Sequence, residues 1–199
     1  MKSIVRLVSF ASCVGLAACA GTPTTYSSSD PRTKIDAFYD NGAGGRDLKL
    51  VVFGDPFPVP KDVFARKVEA DLRDVPTFRQ PTNVLLTPGP SANPIYRLVY
   101  IFGPMTGQFG NAICRHGLKA EANDDFPPAS TMVPAQPGEV VATAAFCVEY
   151  RAVTEISGTT AATGPDDVRV AQMTRSMMAE LFRRDVNWDT GAMHMRGVP

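Results

Sequence analysis

The sequence predicts an α+β domain in which a mostly antiparallel four- to five-stranded sheet carries two helices packed on one face. Three observations lead there. Residues Glu139 to Ile156 alternate apolar and polar side chains at the period of a strand. Phe64, Val68 and Leu72 recur at four-residue spacing, the stripe of an amphipathic helix. Apolar runs at Leu48 to Phe53 and Ile95 to Phe102 are closed by Gly54-Asp55-Pro56 and Gly103-Pro104, as strands are. With 44% hydrophobic residues in 199, the chain has enough apolar mass for a core and too much for a disordered polymer. That length admits one domain or two small ones.

In chain order, Lys2 and Arg6 make the start of the chain positive, and Ile4 to Ala18 form an apolar stretch interrupted by Ser9 and Ser12. It falls short of the ~20 residues a membrane-spanning helix needs. Small residues at its end mark an export signal instead. They run straight into a cysteine, as Leu16-Ala17-Ala18-Cys19. This stretch resembles the lipobox of bacterial lipoproteins. The resemblance implies removal of residues 1–18 as a signal peptide, a diacylglycerol on the Cys19 thiol and an acyl chain such as palmitate on its new amine. It implies attachment to the cell envelope. Ala20, where an Asp would signal inner-membrane retention, points to the outer membrane, facing the periplasm. The resemblance covers the signal and four residues and says nothing of the folded domain. Several acyl chains make sense physically, because each buried methylene is worth ~0.8 kcal/mol and one chain holds a protein only marginally. Cys13, inside the apolar stretch, reads as filler.

Losing Lys2 and Arg6 leaves 18 basic and 20 acidic residues, a net charge of −2. No basic patch is present, so nucleic acid is not an expected partner. Nor is there a polybasic stripe for anionic lipid headgroups.

Residues 19–45 are expected to form the lipidated cysteine and a flexible tether. Ala20 to Asp30 is rich in Ser and Thr, and Asn41 to Gly45 is rich in Gly. A coil of about 26 residues would span roughly 28 Å. Within it, Ile35 to Tyr39 has the composition of a short strand. The domain then occupies 46–186. Leu48 to Phe53 is its first firm strand. Pro60 suits the first turn of the helix that carries Phe64, Val68 and Leu72, and Pro76 closes it. Asn83 to Thr87 is a short strand before Pro88-Gly89-Pro90. Ile95 to Phe102 is apolar on both faces except at Arg97, as a central strand should be. Asn111 to His116 is read as the start of another strand. Asp124 to Gly138, with four prolines, is a loop. Glu139 to Ile156 is a strand, bent or broken. Thr163-Gly164-Pro165-Asp166-Asp167 opens the last helix, with acids near its positive dipole end, and Arg183 and Arg184 suit its other end. Residues 187–199 form a loose tail.

Few residues offer chemistry. Cys114 and Cys147 are the thiols left after lipidation, and in an oxidising compartment two such cysteines pair. Each is read as lying in or beside a strand, so neighbouring strands would bring them together. The alternative, Cys114 as nucleophile with His116 as base on one strand face, lacks a third group. Met193-His194-Met195 has soft ligands for copper(I), but two methionines in a mobile tail explain it as well. Met173, Met177 and Met178 read as core filler. Asp124-Asp125 is not completed by further acids at cation-binding spacing. Gly103, Gly107 and Gly110 are not followed by the Gly-Lys-Ser/Thr of a phosphate loop. Gly-x-Ser-x-Gly, His-Glu-x-x-His and Cys-x-x-Cys do not occur. No cofactor, metal site or catalytic residue is therefore assigned.

The reading that follows is a non-catalytic, lipid-anchored module that binds a protein of the envelope, as an assembly factor or scaffold. Two others compete with it. One is a carrier of a small molecule or lipid, with a pocket between sheet and helices. The other is a hydrolase, which would need a cleft joining His116 to an acid and a hydroxyl.

Overall fold

The structure, a computed structural model, describes residues 24–29, 35–54, 56–76, 83–103, 110–122 and 138–182. The chain runs β1 (Thr24–Ser29), α1 (Ile35–Gly42), β2 (Leu48–Phe53), α2 (Lys61–Asp71), β3 (Val84–Leu85), β4 (Tyr96–Phe102), α3 (Asn111–Ala122), β5 (Glu139–Val148), β6 (Arg151–Ala161) and α4 (Val168–Leu181). Among the described residues one sheet holds six strands, in the order β1-β6-β5-β4-β2-β3. β4 is buried at every position, because helices cover both of its faces. Its pairing with β2 is parallel and with β5 antiparallel; β2–β3 is parallel, and β5–β6 and β6–β1 are antiparallel.

The α+β class stands, with corrections. The sheet is mixed and six-stranded rather than mostly antiparallel with four to five strands. Four helices, not two, are present among the described residues. They flank both faces. α1, α2 and α4 cover one face, burying Tyr39, Phe64, Val68, Met173, Met177 and Phe182 against Leu50, Leu98, Tyr100, Phe102, Ala144 and Phe146. α3 covers the other, with Ile113 and Cys114 packed on Val51, Phe53, Val99, Ile101, Ala145 and Cys147. Even-numbered positions of β2, β4 and β5 face the first cluster and odd-numbered ones the second, the alternation of a pleated strand.

Two stretches read as strands are helical. Ile35–Gly42 and Asn111–Ala122 are α1 and α3. Both have short apolar runs, and over five or six residues the periods of strand and helix coincide. In α3 Gly117 further weakens the helical signal, yet it is what the packing needs. A Cβ there would lie 2.7 Å from Val99 Cγ2, so glycine lets the helix sit down on β4. The segment expected as a tether contributes β1 and α1. Its Thr24-Thr25-Tyr26 residues favour extended backbone, and its polar serines suit a strand at the sheet's edge.

Glu139 to Ile156, expected as one strand, is the β5–β6 hairpin. It turns at Glu149-Tyr150, with Val148 opposite Arg151 and Glu149 at φ 52°. A two-residue turn shifts the inward parity by one. The register break after Phe146, where Cys147 pairs with Ala152 and Phe146 with Thr154, shifts it back. Beyond the break the inward residues of β6 are even-numbered again, as Ile156 is, so Ala152 and Val153 beside the turn exchange faces and the long alternation carries on past them.

α2 carries the predicted stripe: Phe64, Val68 and Leu72 are all buried. Asp62–Arg66 and Lys67–Asp71 pair along its outer side. Beyond it, polar contacts pin β3. Asp47 accepts from the Gly89 amide at 2.9 Å and Asn83 Nδ2 at 3.1 Å, Glu69 accepts from the Leu86 amide at 2.7 Å, and Lys49 Nζ donates to the Leu86 carbonyl at 2.6 Å.

α1 ends in a close approach. A Cβ on Gly42 would fall 2.2 Å from Tyr96 Cδ1. Gly42→Ala is expected to lower stability by about 1–3 kcal/mol, the usual cost of forcing extra atoms into a filled site. Urea unfolding measures it, and an unchanged midpoint would contradict the packing of α1 on β4.

The cap of α4 is Asp167, where the sequence pointed to the Thr163–Asp167 stretch. Its carboxylate accepts from the Arg169 amide at 3.1 Å and the Thr163 amide at 3.2 Å, and pairs with the Arg169 guanidinium at 2.6 Å. The Arg169 side chain first, then these amides, hold its carboxyl well below the usual 3.8. A lowered folded-state value stabilises the protein above the unfolded one and is lost as pH falls through the folded one. Melting temperature should therefore fall in acid below about pH 4, and fall less in Asp167→Asn. A difference between the two proteins that stays constant from neutral pH down to pH ~2 would refute the role of this charge.

Candidate functional site

The face beneath α3 gathers the candidates. Cys147 lies on β5, opposite Arg97 of β4 in the antiparallel register. Cys114 lies in the first turns of α3, above it. The two are joined as a disulfide with Cα atoms 5.5 Å apart, within the span a bridge allows. The expected pairing is present, but it ties a helix to a strand rather than two strands to each other. Both cysteines are fully buried, among Ile113, Val99 and Ala145.

Arg97, the polar exception on the central strand, is 3% exposed. Its stem lies near Gly117, whose Cβ position is 3.5 Å from Arg97 Cδ, and its Nη2 donates to the Pro94 carbonyl at 3.0 Å. A charged side chain here runs along the sheet under a helix. The guanidinium thus reaches toward the start of its own strand. Farther along the same face, Thr143 Oγ1 and Ser157 Oγ lie 3.0 Å apart, and Glu155 accepts from the Gly110 amide that opens α3. The first joins β5 to β6 and the second seats the start of α3.

The pairing of Cys114 with His116 as nucleophile and base is overturned. The sulfur is in the bridge, so no thiolate forms. On a helix, residues two apart point to opposite sides, so His116 is directed away from Cys114. On the other face, Tyr100 Oη donates to the Thr174 carbonyl at 2.9 Å, and burial pushes its phenol far above the usual range. It is a structural tie between β4 and α4. Between this face and its helices, where a carrier would need its pocket, aromatic rings interlock. Phe64 meets Phe102 edge-on at 4.8 Å, and Phe146 meets Phe182 at 5.0 Å. Met173, Met177 and Met178 are buried there as filler, with Gly158 leaving room for the first two.

Among the described residues, no group of three or more His, Cys, Asp and Glu side chains is placed to hold a metal, and no helix is long and apolar enough to cross a membrane. Leu16 to Cys19, Asp124-Asp125 and Met193-His194-Met195 lie outside the described residues. What sequence reasoning missed is at the sheet's ends. Ile95 and Tyr150 are exposed beside each other, the Glu149 amide donating to the Ile95 carbonyl at 2.7 Å. Val63 and Val168 are exposed on α2 and α4. Their exposure follows from where helices begin and a hairpin turns, which sequence periodicity does not resolve.

No protein-family model matches the chain, and no curated protein sequence matches it. Two solved structures of PelC dodecamers from Paraburkholderia phytofirmans, one a single-substitution variant, are similar at 12% identity. Each match covers 81% of this chain and 99% of the PelC chain, with TM-scores of 0.42 and 0.43.

Proposed function

We propose that the protein is a lipid-anchored lipoprotein of a bacterial envelope, facing the periplasm from the outer membrane, and that its domain is a non-catalytic module binding another envelope protein. The observation that carries the location is the pairing of Cys114 with Cys147 in a chain whose N-terminus resembles a lipoprotein signal. Structural disulfides persist outside the reducing cytosol. A buried bridge in a domain of this size fits export through the segment ending at Cys19. The binding role is supported by a site whose side chains serve packing. The cysteine pair is spent in a cross-link, the arginine lies along the sheet under α3, and the sheet–helix interface is filled.

Two measurements test this. An alkyne-tagged palmitate fed to cells should label the wild-type protein and leave Cys19→Ala unlabelled, with the variant leaving the membrane fraction. A labelled Cys19→Ala protein, or a wild-type protein found in the soluble fraction, would overturn the anchor. Crosslinking in intact envelopes should recover a reproducible envelope partner with wild type and much less with Cys19→Ala. Recovery of no reproducible partner would overturn the binding role.

A further inference from the structure

The topology sets Thr24, five residues after Cys19 in sequence, at one end of the sheet. β1 is antiparallel to β6, with Thr24 opposite Thr159 and Ser29 opposite Thr154. β6, β4 and β2 run in one direction, so Thr24 sits where all three finish. That is the end at which the chain enters α2 and α4. Residues 20–23 alone separate Cys19 from β1. Fully extended, the path from Cys19 to Thr24 covers at most ~18 Å. The spacer expected from composition, about 26 residues spanning roughly 28 Å, is longer than this link.

The large apolar side chains exposed among the described residues divide between the two ends. Val63, 45% exposed, and Val168, 64% exposed, stand in the first turns of α2 and α4, at the Thr24 end. Ile95, 39% exposed, and Tyr150, 54% exposed, stand at the opposite end. Near the first pair, Lys61, Asp62, Asp166, Asp167 and Arg169 are of both signs, so that end neither repels nor strongly attracts an anionic surface.

We propose that the end of the domain bearing Val63 and Val168 rests on the lipid surface, held there by the short link to Cys19, and that the Ile95–Tyr150 end points away from the membrane. The inference rests on the lipid-anchor reading above. The acyl chains supply the attachment. The link length and strand direction decide which end meets the bilayer, and two valines add a shallow apolar contact. The outward end then carries the apolar pair Ile95 and Tyr150, free of the membrane.

The test uses the full-length protein in cell envelopes, with a photoreactive benzophenone side chain introduced separately at positions 63, 168, 95 and 150. All four are exposed, so the fold tolerates the change. Ten residue steps of β6 at ~3.3 Å place the two ends roughly 33 Å apart, so phospholipid adducts at 63 and 168 should exceed those at 95 and 150 by about tenfold or more. Equal yields at the two ends, or a larger yield at 95 and 150, would overturn the orientation. The mass of the N-terminal peptide from the same samples reports acylation of Cys19. Acylation with the wrong adduct pattern defeats the orientation alone. A Cys19 without acyl chains defeats the anchor, and the orientation with it.

Discussion

Replacing Cys114 and Cys147 together by alanine is expected to lower stability by about 3–4 kcal/mol. The bridge closes a loop between residues 33 apart, and the chain-entropy model gives ~3.7 kcal/mol for a loop of that length. In a domain of this size about 2–4 °C of melting temperature accompanies each kcal/mol, so a fall of roughly 6–16 °C should follow. Thiol reductant should produce a comparable fall in the wild type and none in the double variant. The loss should be concentrated in α3. That helix alone, among the described helices, covers its face of the sheet, and it is seated through Ile113, Cys114 and Gly117. Hydrogen exchange should therefore accelerate at residues 111–118 more than in α2 or α4. A double variant within about 0.5 kcal/mol of wild type would contradict the cross-link as a stabilising element.

The elements that sequence periodicity revealed are those whose own residues carry a complete pattern. Tyr96–Phe102 is apolar on both faces because it is buried on both, and Phe64, Val68 and Leu72 are apolar because α2 buries one side. The start of α4 was legible because capping is local chemistry, as Asp167 shows. α1 and α3 were not legible, since their fit depends on glycines meeting Tyr96 and Val99, residues far away in sequence. The hairpin was hidden because its turn and its bulge cancel in parity. For the site, the identity of the disulfide partners could be read by elimination once Cys19 was assigned to the lipobox. The helix-to-strand geometry could not, because it depended on α3 being a helix.

Phe146→Ala is expected to have the other large effect, about 3–5 kcal/mol, the range for removing a fully buried aromatic ring. Phe146 is completely buried, stacked on Tyr96 with centroids 5.9 Å apart and edge-on to Phe182 at 5.0 Å. Phe182 in turn meets Tyr39 of α1 at 5.0 Å. The ring thus stands at the head of a chain of aromatic contacts from β5 through the end of α4 to α1, and truncating it leaves a void that rigid sheet backbone on one side cannot close. Folded domains hold only about 5–15 kcal/mol in total, so the loss is a large share. A double-mutant cycle with Phe182→Ala should return a coupling of about 0.5–1.5 kcal/mol, the amount an edge-to-face pair adds beyond area. Because Tyr39 leans on Phe182 and Phe182 on Phe146, exchange in α1 should quicken in Phe146→Ala. Loosening of α1 would then lengthen the link between β1 and β2, and a cost below about 1 kcal/mol with α1 unchanged would show that the aromatic chain does not join the N-terminal segment to the core.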